Sequence, residues 1–212
     1  MSSSLVLVLA LTMITGVADA QAVQAQVRPR VLVVYFSRTG HTQSMAEAIA
    51  KGAREGGAQV TIRSVAVATT QDVLAADAIV IGTPVHNANP TPEILSFINS
   101  WPLAGAPLKD RLGAVFVTAG GTSAGEEAVL LSLQRSLLVF GMIIVGGDDW
   151  RSAFGASAIT GEWPEKEQPV APHFLSRGEG LGRRVASVAL RWLGLDEKHA
   201  AENRRNDTEA EQ

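Results

Sequence analysis

The chain has 212 residues, 46% of them hydrophobic, with 18 Lys+Arg against 21 Asp+Glu, a composition that fits one soluble globular domain and excludes fibres, coiled coils and disordered chains. A formal net charge of −3 gives no broad basic surface, so no nucleic-acid partner is expected. There is no cysteine, hence no disulfide, thiolate nucleophile, iron–sulfur cluster or Cys-ligated zinc. Redox chemistry in such a chain has to come from a bound cofactor, and no metal-ligating residues are assigned.

Residues 1–26 read as a segment apart from the fold. They contain no Lys or Arg, and Leu5 to Val17 is apolar apart from two threonines. As a helix this run spans only ~20 Å, short of the ~30 Å hydrocarbon core of a membrane. Ala18-Asp19-Ala20 follows with the small-x-small pattern of a signal-peptidase site. The expectation is export to the periplasm or medium, with no transmembrane span in the mature chain. The alternative is a membrane-anchored protein, or a cytoplasmic one whose start lies further downstream. No twin arginine accompanies the segment, which disfavours a route for folded, cofactor-loaded proteins.

From residue 27 onward, strand-like and helix-like segments alternate. Val31 to Phe36 is a continuous apolar run of the kind a strand buried on both faces needs. The more polar run Val60 to Val67 suits a sheet edge. AIVIGTP, apolar up to Gly82, Gly113 to Ala119, and Met142 to Gly147 supply three more strands. Helices are expected over Gln43–Glu55, Pro92–Asn99, Glu126–Phe140 and Gly180–Leu193. This alternation predicts right-handed βαβ units and an α/β fold with a parallel, doubly wound sheet between two helical layers, whose five strands fit the order 2-1-3-4-5. Asp148 to Pro172 reads as a long Gly-, Pro-, Ser- and Trp-containing loop, and residues 196–212 as a polar, disordered tail without a site. One domain, residues 27–195, remains.

Three loops would emerge together at the carboxyl edge of such a sheet. Ser37-Arg38-Thr39-Gly40-His41-Thr42 leaves the first strand and opens the first helix, offering hydroxyls, backbone N–H groups and the positive end of a helix dipole to an anion. It lacks the Lys of a Walker loop and the G-x-G-x-x-G of a dinucleotide turn, and suits a terminal monophosphate. Gly82 to Pro90 follows the third strand, with its prolines restricting the backbone, and can present Pro84, Val85, His86, Asn87, Ala88 and Asn89 to a flat heterocycle. Thr118, Ala119, Gly120, Gly121, Thr122, Ser123 and Gly125 form the third, whose glycines allow close approach to a ring edge.

These three loops, in this order and spacing, resemble the flavodoxin-like FMN proteins, and most of all the WrbA-type NAD(P)H:quinone oxidoreductases and NADPH-dependent FMN reductases. The resemblance spans Val31 to Leu193. SRTGHT resembles the family's phosphate loop, GTPVHNAN its loop against the isoalloxazine, and TAGGTSAGEE the Gly-rich loop at the pyrimidine end of the ring. Trp101 resembles an active-site tryptophan after the third helix, and Phe154 to Gly161 a segment before the last helix. Asn87 and Ala88 stand where the family often has an aromatic residue and a glycine, and Val139-Phe140 where it has a histidine pair. His86 and His41 are therefore the histidines to watch, and His86 and Trp101 the candidate side chains near the chemistry.

The resemblance implies FMN as cofactor, NAD(P)H as electron donor, a small quinone-type acceptor and a homo-oligomer, dimer or tetramer. Two other functions stay open. An electron-carrier flavodoxin would sandwich the ring between aromatics, yet neither ring loop contains Trp, Tyr or Phe. A non-catalytic flavodoxin-like binding module of the cell envelope is the other. A phosphorylated receiver domain is disfavoured because the first strand ends without acidic residues, and a serine hydrolase is disfavoured as well.

Overall fold

The structure is a computed structural model that describes residues 27–161 and 169–195. Among these residues six strands and five helices follow in the order β1 (Arg30–Tyr35), α1 (His41–Glu55), β2 (Gln59–Ser64), α2 (Thr70–Ala75), β3 (Ala78–Pro84), α3 (Pro92–Asn99), β4 (Leu112–Ala119), α4 (Glu126–Val139), β5 (Ile143–Ile144), β6 (Ala156–Ile159) and α5 (Pro172–Trp192). The sheet is parallel with the order β2-β1-β3-β4-β5, and β6 also pairs with β4. β2 forms one edge, as its mixed polarity requires.

Alternation along the buried strands builds two cores. Val31, Val33, Val80, Ala114 and Phe116 point to one face and pack on α1 and α5. Leu32, Val34, Ile79, Ile81, Val115 and Val117 point to the other, beneath α2, α3 and α4. Strands apolar at every position are what a sheet covered on both faces demands.

The structure corrects the expected five strands in one respect. The fifth position is shared between two short segments: β5 pairs with Leu112 and Gly113 at the start of β4, and β6 with Phe116 to Ala119 at its end. Between them the chain leaves the sheet at Gly146-Gly147, turns through a 3₁₀ turn at Trp150–Ser152, and returns. The expected loop from Asp148 to Pro172 thus contains a strand, while residues 162–168 lie outside the described part.

Two helices also differ. α2 was not foreseen; it is only six residues long and held by a capping box in which Thr69 and Asp72 exchange hydrogen bonds. α5 begins at Pro172 rather than Gly180, because Gly178, Gly180 and Gly182 sit within it. At Gly182 an added Cβ would lie 2.0 Å from the Ile49 carbonyl oxygen, and at Gly52 1.9 Å from that of Glu179. Glycine here permits backbone contact between α1 and α5, a tertiary reason that overrides poor helix propensity.

No described helix is long and apolar enough to cross a membrane. The export segment, residues 1–26, and the polar tail, residues 196–212, fall outside the described residues.

Candidate functional site

The three expected loops do meet at the carboxyl edge of the sheet, around a cavity of about 300 Å³. The first loop lines it with Arg38, Thr39, His41 and Thr42, the second with Pro84, Val85 and His86, and the third with Thr118, Ala119 and Gly120. Thr160, at the end of β6, closes another side.

The first loop is tied from within. Gly40, at φ 95°, is the N-cap of α1, and its N–H donates to Ser37 Oγ (3.1 Å). Thr39 Oγ1 and His41 Nδ1 are 3.0 Å apart and share a hydrogen bond. The Thr42 hydroxyl is buried and bonded to that of Thr118 (2.8 Å), which fixes the first turn of α1 to the end of β4. The first N–H groups of any helix lack partners within it, and the dipole makes that end positive. α1 therefore aims an anion-binding end into the cavity.

Thr83 and Thr118 anchor the second loop. Thr83 Oγ1 accepts from the Thr91 N–H (3.1 Å), and the Val85 N–H donates to the Thr118 carbonyl (2.8 Å). Beyond them the chain reverses at Asn87-Ala88, where φ is 51° and 58° and where His86 and Asn89 exchange two backbone hydrogen bonds of 3.0 Å. Positive φ at both central residues is the geometry of a type I′ turn, which favours Asn first and glycine second. Alanine at the second position costs backbone strain. Its methyl group faces Gly125, where an added Cβ would come within 2.6 Å of the Ala88 Cβ. The second and third loops thus touch backbone to methyl, so a side chain at residue 125 would push them apart.

The third loop carries Ser123 at φ 60°, with its N–H donating to Glu126 Oε1 (3.3 Å). Glu126 Oε2 is buried and has no hydrogen-bond partner among the described residues. Gly121 to Gly125 spells G-x-S-x-G, the pattern of a serine-hydrolase nucleophile elbow. Ser123 Oγ nevertheless forms no hydrogen bond to a histidine among the described residues, so no nucleophile and base are paired there.

The predicted residues divide into three groups. Ten line the cavity. Ser37, Gly40, Asn87, Ala88, Asn89, Gly121, Thr122, Ser123 and Gly125 belong to the loops that frame it. Trp101 lies elsewhere: α3 runs back along the sheet, and this indole is 4% exposed at the amino edge, 5.7 Å edge-on from Phe97 and 5.3 Å from Phe140. Within one chain it is not brought to the cavity. Thr160 is the lining residue that sequence reasoning did not single out, although it falls within the Phe154 to Gly161 segment; its N–H donates to the Ala119 carbonyl (2.9 Å). The signal that could have found it is the short run Ala156 to Ile159, which ends level with β4.

Hydroxyl groups, a helix amino end and loop backbone, with Arg38, His41 and His86 as the ionisable lining groups among the described residues, make a site for an anionic ligand with a flat polar ring. A doubly wound sheet of order 2-1-3-4-5 with its cavity at the switch point between β1 and β3 defines the flavodoxin-like class.

Comparison with known proteins agrees. The family model described as "Flavodoxin domain" matches residues 32–138, and the chain belongs to this family. It is 34% identical to the "NAD(P)H dehydrogenase (quinone)" of Rhodopseudomonas palustris strain TIE-1, over 78% of this chain and 99% of the relative. A protein of the same name from Methylocella silvestris is also 34% identical, with the same coverage. Among solved structures, a flavodoxin, WrbA-like protein from Agrobacterium tumefaciens superposes with a TM-score of 0.63 at 24% identity, covering 77% of this chain and 98% of that one. The two-electron reduced flavodoxin of Megasphaera elsdenii gives 0.53 at 24% identity, over 74% and 98%.

Proposed function

We propose that this chain is an FMN-dependent oxidoreductase that passes two electrons from NAD(P)H to a quinone-type acceptor. The observation that carries the reading is the convergence of the three loops on one cavity, with the amino end of α1 at one wall and rigid loop backbone at another. The full-length relatives named NAD(P)H dehydrogenase (quinone) support the same activity.

The residues present fit FMN. The first-turn N–H groups of α1 and the hydroxyls of Ser37 and Thr39 would hold a terminal monophosphate, a ligand that needs no Walker lysine. Backbone of Pro84 to Asn89 and of Ala119 to Ser123 would take the polar edge of the ring. When bound, FMN supplies the group that accepts hydride from the nicotinamide and releases electrons to the quinone.

The protein's own part is positional and electrostatic. Thr42 and Thr118 lock the phosphate loop to β4, so that the cradle and the ring site keep a fixed separation. The paired hydrogen bonds of His86 and Asn89 hold the second loop in one conformation. N–H groups of these loops facing a bound ring would stabilise negative charge on its polar edge. No protein nucleophile is required.

The lack of Trp, Tyr or Phe in both ring loops favours the reductase over an electron carrier. Reconstitution tests the choice. Purified protein should bind FMN, and one equivalent of NAD(P)H should bleach the flavin absorbance, with colour restored by a quinone. Folded protein without FMN affinity contradicts the reading; flavin bound but not reduced by NAD(P)H transfers it to the electron carrier. Export rests on Leu5 to Val17 and Ala18-Asp19-Ala20, and amino-terminal sequencing of the protein recovered outside the cytoplasm checks it.

A further inference from the structure

We propose that Arg38 makes the enzyme selective for NADPH over NADH by pairing with the adenosine 2′-phosphate of the donor. The inference rests on the FMN-dependent reading above. Arg38 is an exposed residue that lines the cavity, and its guanidinium has neither an ion pair nor a hydrogen bond among the described residues. The surrounding loop does not need it. Ser37 Oγ is engaged with the Gly40 N–H, Thr39 with His41, and Thr42 with Thr118, so the cradle is held by hydroxyls and backbone alone.

The charge around the cavity points the same way. Among the described residues its ionisable lining groups are Arg38, His41 and His86, and none of them is acidic. The two dinucleotides differ only by a phosphate, which adds close to two negative charges to NADPH. A guanidinium that is always protonated and can bind two phosphate oxygens at once suits that group. A monophosphate seated on the backbone of α1 leaves this cation at the rim, where a second substrate arrives. NADH gains nothing from it beyond general attraction.

The test uses the FMN-loaded full-length enzyme, wild type, Arg38→Ala and Arg38→Lys, with NADPH and NADH as donors and FMN affinity measured alongside. Wild type should prefer NADPH about tenfold in kcat/KM, equivalent to about 1.4 kcal/mol. Arg38→Ala should bring the ratio of the two kcat/KM values close to one, through KM for NADPH, and Arg38→Lys should restore part of it. Raising ionic strength should weaken NADPH use more than NADH use. On the wild type, 2′-phospho-ADP-ribose should bind about tenfold tighter than ADP-ribose, and on Arg38→Ala the two should bind alike.

A wild type indifferent to the 2′-phosphate would overturn the proposal while FMN binding and reduction by NAD(P)H stand. Loss of FMN affinity in Arg38→Ala with an unchanged donor ratio would overturn it too, by assigning the guanidinium to the flavin phosphate. Wild-type protein that binds no FMN would remove the functional reading itself.

Discussion

The two ends of the same sheet are built from opposite chemistry. At the amino edge, Trp101, Phe97 and Phe140 pack together, and Arg30 pairs with Asp77 through its side chain (2.9 Å) and its backbone N–H (2.8 Å). Arg111 reaches the Ala76 carbonyl beside them. At the carboxyl edge, threonine hydroxyls bond to one another and to loop backbone, two non-glycine residues of one turn sit at positive φ, and a cavity stays open. One edge is filled and closes the fold; the other spends stability on a fixed, accessible pocket.

The contrast predicts that the two edges separate stability from ligand binding. The largest effect is expected at the filled edge. Trp101→Ala should destabilise by about 3–5 kcal/mol, because it empties a buried indole-sized volume. Chemical denaturation measures it, and FMN affinity of the folded protein should stay within about threefold of wild type. A folded variant that had lost FMN would mean that Trp101 serves the site.

Next is the helix seam that supports α1. Gly182→Ala drives a methyl group into the Ile49 carbonyl and should cost about 3 kcal/mol in the same denaturation measurement. An unchanged midpoint would show that α1 and α5 can separate freely.

Asp77 gives the closed edge a pH signature. Burial raises its pKa, but the side-chain and backbone hydrogen bonds of Arg30 and the charges of Arg30 and Arg111 outweigh this and leave the carboxyl below its ordinary value. A carboxylate of depressed pKa contributes stability that is full above the unfolded value, near 4, and is lost as pH falls through the folded one. Stability should therefore fall on acidification below about pH 4. Asp77→Asn should remove that part of the pH dependence and cost ~2 kcal/mol at neutral pH. Parallel pH profiles of the two proteins would sink this account.

The open edge should respond in the reverse sense. Thr42→Val leaves the buried Thr118 hydroxyl without its partner, at ~1–2 kcal/mol of stability, and should weaken FMN binding by at least tenfold in a fluorescence titration. The smallest effect is Ala88→Gly, which relieves a φ of 58° and should stabilise by up to ~1 kcal/mol, or 2–4 °C in Tm.

Much of this was legible in the sequence, for identifiable reasons. Strands buried on both faces leave continuous apolar runs, so β1, β3 and β4 could be read directly, and the alternation with helices made the order β2-β1-β3-β4-β5 a fitting one. The loops at the carboxyl edge carried their Gly, Pro and hydroxyl residues in plain view. What escaped depends on contacts between distant segments. The glycines of α5 look like helix breakers until α1 is placed against them. β6 is four residues long and gains its meaning only from β4. In the sequence Arg38 is one member of a phosphate loop, and that no described residue bonds to it is a property of the folded site alone.

The measurement that bears most directly on the whole account is an anaerobic titration of the FMN-reconstituted protein with NADPH, followed by addition of a quinone. The account predicts tight FMN binding, full bleaching by one equivalent of donor and stoichiometric return of colour with the quinone. A folded protein that takes up no FMN, or a bound flavin that NADPH and NADH both leave oxidised, would contradict it.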